Sequence, residues 1–94
     1  MSRSLQTRVR EALQIAQNST TGLIDYGSAQ SLENYLRETW GRVLAHPNTY
    51  IMTELEFAVF NHFRARAEYQ NETARKAVQR FWDSRRASDG VSKR

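Results

Sequence analysis

The sequence predicts the all-α class, as a small domain of four helices with the third helix at its centre. Four stretches place apolar residues three and four positions apart, which is the period of an amphipathic helix. Strand-like alternation is confined to residues 23–26. The 94 residues are enough for one domain with a modest core. We therefore predict a single helical domain spanning residues 1–94, with helices near 3–17, 29–45, 53–69 and 71–88.

The first helix follows Ser4, a residue type that often caps a helix N-terminus. Its apolar face consists of Leu5, Val9, Ala12, Leu13 and Ala16. The connector after it holds Leu23, Ile24 and Tyr26, which are more apolar than a free loop requires. We expect these three side chains to pack against the core.

The second helix is predicted to begin at Ser28 or Ser31 and to end near Ala45, because Pro47 disfavours helical geometry at His46. One stripe of this helix is apolar and is expected to face the core: Leu32, Tyr35, Leu36, Trp40, Val43 and Leu44.

The third helix begins at the most apolar segment of the chain, Tyr50 to Phe63. Thr53 and Glu56 have the spacing of a capping box, so the helix is expected to start at Thr53. Apolar residues cover more than one narrow stripe of it, which is typical of a helix buried on several sides. We therefore predict that it is central and that Phe60 and Phe63 belong to the core.

A polar run from Tyr69 to Thr73 separates the third helix from the fourth, and Asn71 is a suitable N-cap. The alternative is one continuous helix, because no glycine or proline occurs between residues 48 and 89. Gly90 is expected to end the fourth helix, and a basic tail spans about 89–94.

The sequence contains few of the residue patterns that catalysis requires. There is no cysteine, and the two histidines, His46 and His62, fall in different predicted elements. No metal-ligand spacing, phosphate-binding glycine loop or nucleophile motif is present. We predict a protein that is not an enzyme, with no cofactor, no metal and no small-molecule substrate.

The first-choice function is docking on a protein, either a partner or a second copy of the chain, as a subunit, adapter or regulator. His62, Arg66 and Tyr69 interrupt or border an apolar face of the predicted third helix. An arginine and an aromatic residue beside apolar side chains are typical of an interface core. These three residues are the predicted partner-binding site. The alternative is ordinary packing, in which Arg66 extends its stem over the surface.

The second function is nucleic-acid binding by the last helix. The net charge is +4, but residues 1–63 carry five basic and six acidic groups whereas residues 64–94 carry nine and four. The predicted phosphate-binding residues are Arg75, Lys76, Arg80, Arg85 and Arg86. The run from Val78 to Arg86 resembles the recognition helix of homeodomains over nine residues, with Ser84 at the position of that family's base-reading asparagine.

A second local resemblance is to the LYR-motif proteins, small basic helical subunits of mitochondrial complexes. It is carried by Tyr35-Leu36-Arg37 and Phe63-Arg64, with the family's Leu–Tyr order inverted. Neither resemblance extends to a pattern over the whole chain, and neither is taken as an assignment. No apolar run reaches the roughly 18 residues of a membrane span. With no secretory signal and no cysteine, the sequence predicts an intracellular protein, in the cytoplasm or an organelle matrix.

Overall fold

A computed structural model describes residues 4–92, and the predicted all-α class is confirmed. The described chain contains no strand and has four α-helices and one short 3-10 helix. The predicted helix start at residue 3 and the last two residues of the predicted tail lie outside the described residues. The helices are α1 (Leu5–Asn18), α2 (Tyr26–Ala45), α3 (Glu54–His62) and α4 (Glu72–Ser92), and the 3-10 helix spans Ala67–Tyr69.

Each helix begins where a polar side chain accepts hydrogen bonds from its first turn. Ser4 Oγ accepts from the Thr7 N–H at 3.1 Å, and Asn71 Oδ1 accepts from the Ala74 N–H at 2.9 Å. Both caps agree with the sequence. α2 begins at Tyr26, earlier than predicted, because Asp25 and not a serine provides its cap.

α3 starts with the predicted capping box, and the box belongs to a larger polar network. Glu56 is only 4% exposed. Its carboxylate accepts from the Thr53 N–H at 2.9 Å, from Arg42 Nη1 at 2.7 Å and from the Tyr50 hydroxyl at 2.6 and 2.8 Å. Because Arg42 lies near the end of α2, this carboxylate ties the end of α2 to the beginning of α3.

The core lies between α2 and the other three helices. α2 packs against α1, α3 and α4, while α3 packs against α1 and α2. α3 also reaches α4, because the Phe57 and Phe81 rings stack with centroids 4.1 Å apart. The largest fully buried side chains come from α1, α2 and α3: Val9, Leu32, Leu36, Thr39, Val43, Val59 and Phe60.

α3 is shorter than the predicted 53–69, and it is not continuous with α4. It ends at His62, and a turn leads to the 3-10 helix, with Arg66 in extended geometry. The turn lets Tyr69 pack edge-on against both Trp40 and Phe60, with centroids 5.0 Å apart in each pair. These long-range contacts outweigh the helix propensity of residues 63–69. Gly90 does not end α4, which continues to Ser92.

Among residues 4–92, no helix is both long enough and apolar enough to cross a membrane.

Replacing Phe60 by Ala is expected to lower the free energy of unfolding by about 3–5 kcal/mol, because the ring is fully buried. Phe63 is only partly buried, contrary to its predicted core position, and Phe63→Ala is expected to lower the free energy of unfolding by about 1–2 kcal/mol. Urea denaturation of the two variants measures the difference. Equal losses would contradict the central position of Phe60.

The protein is expected to lose stability as pH rises from about 10 to about 12. Burial and the hydrogen bond to Glu56 raise the pKa of Tyr50 to about 12, from an ordinary value of 10.0. A raised pKa means that the folded state holds the proton more tightly than the unfolded state. The stabilisation is therefore complete below pH 10 and lost as pH rises through 12.

Thermal unfolding against pH checks this, with Tyr50→Phe as the comparison. Burial also raises the pKa of Tyr35 and of Tyr69, so Tyr50→Phe should make the alkaline decline shallower without removing it. An unchanged decline in Tyr50→Phe would show that the Tyr50 hydroxyl does not contribute.

Candidate protein-docking site

The connection between α1 and α2 exposes two large apolar side chains. Leu23 is 80% exposed and Tyr26 is 81% exposed. The prediction that Leu23, Ile24 and Tyr26 pack against the core is therefore wrong for Leu23 and Tyr26, and it is confirmed for Ile24, which packs against the core. Large exposed apolar side chains close together in the sequence are a reason to look for a surface that contacts another protein.

Hydrogen bonds within the connection hold the backbone in this arrangement. Ser19 Oγ donates to the Leu23 carbonyl oxygen at 2.9 Å, and the Leu23 N–H donates to Thr21 Oγ1 at 3.3 Å. Gly22 has a φ of +80°, which lets the chain turn between them. This local backbone geometry turns Leu23 away from the core.

The start of α2 is equally well fixed. Asp25 Oδ2 accepts from the Ser28 N–H at 2.9 Å, and Oδ1 accepts from the Ser28 hydroxyl at 2.8 Å. The backbone hydrogen bond from Ser28, followed by the one from its side chain, lowers the pKa of Asp25. This cap sets the direction of the first turn of α2, and so positions Tyr26.

An open groove of about 580 Å³ lies between α1 and the beginning of α2, and the two residues that flank Tyr26 in the sequence, Asp25 and Gly27, line it. Small residues of α2, such as Gly27 and Ser28, form one wall, and Ile15 of α1 contributes an apolar side chain that is 46% exposed. We call the groove together with Leu23 and Tyr26 the corner surface. The lining residues are Arg8, Glu11, Ala12, Ile15, Asp25, Gly27, Ser28 and Ser31.

The predicted partner-binding residues are only partly brought together. Arg66 and Tyr69 line a second groove, of about 310 Å³, beside Trp40, whereas His62 is exposed at the end of α3 and does not line it. Tyr69 is buried in the aromatic contacts with Trp40 and Phe60. The sequence placed His62 and Arg66 one helical turn apart, but the end of α3 separates them.

Arg66 has a partner within the chain. Its guanidinium donates two hydrogen bonds to the carboxylate of Glu33 on α2, one of them from Nη1 to Oε1 at 3.0 Å. The hydrogen bonds from Arg66 lower the pKa of Glu33. The guanidinium also lies 4.5 Å from the centroid of the Phe63 ring. These contacts fasten the turn after α3 to α2.

The predicted nucleic-acid residues on α4 also make intramolecular contacts. Arg75, Arg85 and Arg86 form ion pairs with Glu72, Glu54 and Asp83, respectively. Arg80 Nε donates to the Tyr50 carbonyl oxygen at 3.0 Å. The structure therefore divides the predicted basic face into paired arginines and a smaller set around Lys76 and Arg80.

Among the described residues, no group of three histidine, cysteine or acidic side chains is arranged to hold a metal ion. The prediction of a non-catalytic protein stays a prediction.

Comparison with known proteins identifies no relative of this chain. No family model, no curated protein and no solved structure matches the chain. The local resemblances to homeodomains and LYR-motif proteins thus gain no support over a longer stretch.

Arg66→Glu is expected to lower the free energy of unfolding by about 1 kcal/mol, because it places a second carboxylate against Glu33. The exchanged variant Glu33→Arg with Arg66→Glu is expected to recover much of this loss. Urea denaturation of the two single variants and the exchanged pair gives the coupling free energy. Additive effects would show that the pair contributes nothing to the fold, which would leave Arg66 free to act in an interface.

Proposed function

We propose that this chain is a non-catalytic, intracellular helical protein that acts by docking on another protein through the corner surface. The observation that carries the proposal is the exposure of Leu23 and Tyr26 in a connection whose backbone is held by its own hydrogen bonds. Aromatic anchors of this kind supply much of the energy of protein interfaces.

The charges around the groove favour a protein as the occupant. Arg8, Glu11 and Asp25 line it, so basic and acidic groups are both present. A polyanion would meet two carboxylates there, whereas a polypeptide offers side chains of both signs and apolar side chains for the groove. The expected partner therefore presents an apolar side chain surrounded by polar groups.

The test compares the parent protein with the double variant Leu23→Ser, Tyr26→Ser and with Leu44→Ser. Leu44 is 53% exposed near the opposite end of α2, so its replacement removes one exposed apolar side chain away from the corner surface. All three proteins are expected to have the same stability within about 0.5 kcal/mol, because the replaced side chains are exposed.

Native capture from the source cells with each protein is followed by titration of the purified partner. We expect one protein to bind the parent and Leu44→Ser with equal affinity. The single variant Tyr26→Ser, added to the titration, is expected to weaken binding by about 2 kcal/mol. Analytical ultracentrifugation tests the other occupant, a second copy of the chain. Equal recovery by the parent and the double variant, with no self-association, would overturn the proposal.

A further inference from the structure

A groove separate from the corner surface lies between α4 and the turn that follows α2. It has a volume of about 400 Å³. Its five lining residues share one property, which is that each side chain carries N–H donors: Asn48, Arg75, Lys76, Gln79 and Arg80. No acidic residue is among those that line it. A groove lined by cationic and amide donors is complementary to an oxyanion.

The turn that forms one wall is held in place by the chain itself. The N–H groups of Thr49 and Tyr50 both donate to the His46 carbonyl oxygen, at 3.2 and 3.0 Å. Arg80 Nε then donates to the Tyr50 carbonyl oxygen at 3.0 Å, which joins α4 to this turn. The guanidinium of Arg80 is therefore already oriented before any ligand arrives, so binding costs little side-chain entropy.

The guanidinium of Arg80 retains unused donor capacity. Its Nη2 is buried and has no hydrogen-bond acceptor within residues 4–92. An unsatisfied buried donor is costly, and an acceptor in the groove gains correspondingly if a small shift of the guanidinium exposes this nitrogen. Lys76, one turn earlier on α4, is exposed, and its charge acts on the carboxylate of Glu72, to which Arg75 donates hydrogen bonds. Among the described residues, neither Lys76 nor Arg80 has a carboxylate within ion-pair distance.

Two acidic side chains of α4 limit the charge of the groove without cancelling it. Glu72 pairs with Arg75, and Asp83 accepts from both Arg86 and Gln79 Nε2. Both carboxylates are occupied by these partners, and neither lines the groove. An extended polyanion is less favoured than a single compact anion, because Arg85 and Arg86 are paired outside the groove.

We propose that Asn48, Arg75, Lys76, Gln79 and Arg80 form a binding site for a phosphate group. A phosphate offers several acceptor oxygens, which match two planar guanidinium groups, an ammonium and two amides better than one carboxylate does. The group belongs either to free phosphate or a small phosphorylated molecule, or to the backbone of a nucleic acid. The site does not depend on the docking function.

The test is an NMR titration of the isotope-labelled full chain with sodium phosphate, with chloride withdrawn to keep ionic strength constant. We expect saturable shifts of the side-chain amides of Asn48 and Gln79. Lys76→Gln is expected to weaken the apparent affinity about tenfold, the effect of losing one charge-assisted hydrogen bond. Lys76→Arg is expected to retain most of it.

Arg86→Gln is the matched control. It removes one positive charge from the same helix, but Arg86 lies outside the groove and pairs with Asp83. Its phosphate affinity should stay within about twofold of the parent, since exposed charges at a distance are largely screened. Equal weakening in Arg86→Gln and Lys76→Gln would indicate general charge attraction and overturn the site, as would the absence of saturable shifts.

A parallel titration with a short oligothymidylate distinguishes the two sources of phosphate. If the oligothymidylate binds, inorganic phosphate competes with it and Lys76→Gln weakens its binding, the site is assigned to a nucleic-acid backbone. Saturable binding of inorganic phosphate without binding of the oligothymidylate would assign it to a small phosphate ligand. The proposed site would be contradicted if the oligothymidylate binds with an affinity that neither Lys76→Gln nor added phosphate changes.

Discussion

The carboxylate of Glu56 is the group on which the arrangement of helices depends. A buried carboxylate is strongly unfavourable unless donors surround it, and here a backbone N–H, a tyrosine hydroxyl and an arginine do so. The three donors come from the start of α3, the turn before it and the end of α2. Satisfying one charge therefore fixes the relative position of all three segments. Because Arg80 binds the carbonyl oxygen of Tyr50, α4 is placed by the same network.

The features that the sequence predicts correctly are those that arise from contacts between near neighbours in the chain. The capping box of Thr53 and Glu56 spans three residues, and its spacing alone predicts the start of α3. The apolar stripes predicted most of the core for the same reason, since they follow from helix period. Asp25 also carries a local signal, because it stands three residues before Ser28 and its carboxylate accepts from the Ser28 N–H, but Ser28 and Ser31 are equally suitable caps by residue type.

The end of α3 at His62 could not be predicted in this way, because its cause is distant in the sequence. Arg66 meets Glu33 across 33 residues, and Tyr69 meets Trp40 only after the chain has turned. The exposure of Leu23 and Tyr26 has a related origin. Their apolar character predicted burial, but the hydrogen bonds of Ser19, Thr21 and Asp25 direct the backbone outward. The phosphate groove likewise joins Asn48 to α4, and no spacing rule connects those positions.

α4 divides into two parts that differ in how they are held. Among the side chains of α4 that the structure describes, the buried ones are Ala74, Ala77 and Phe81, whereas every residue from Asp83 to Ala87 is exposed. Opening the first half disrupts the core, but unwinding residues 83–87 exposes almost no apolar area. Amide protons of residues 83–87 should therefore exchange with solvent through local opening, which breaks the ion pair between Arg85 and Glu54 but leaves the core intact. The same helix thus has one segment that opens only with the fold and another that opens without unfolding the core.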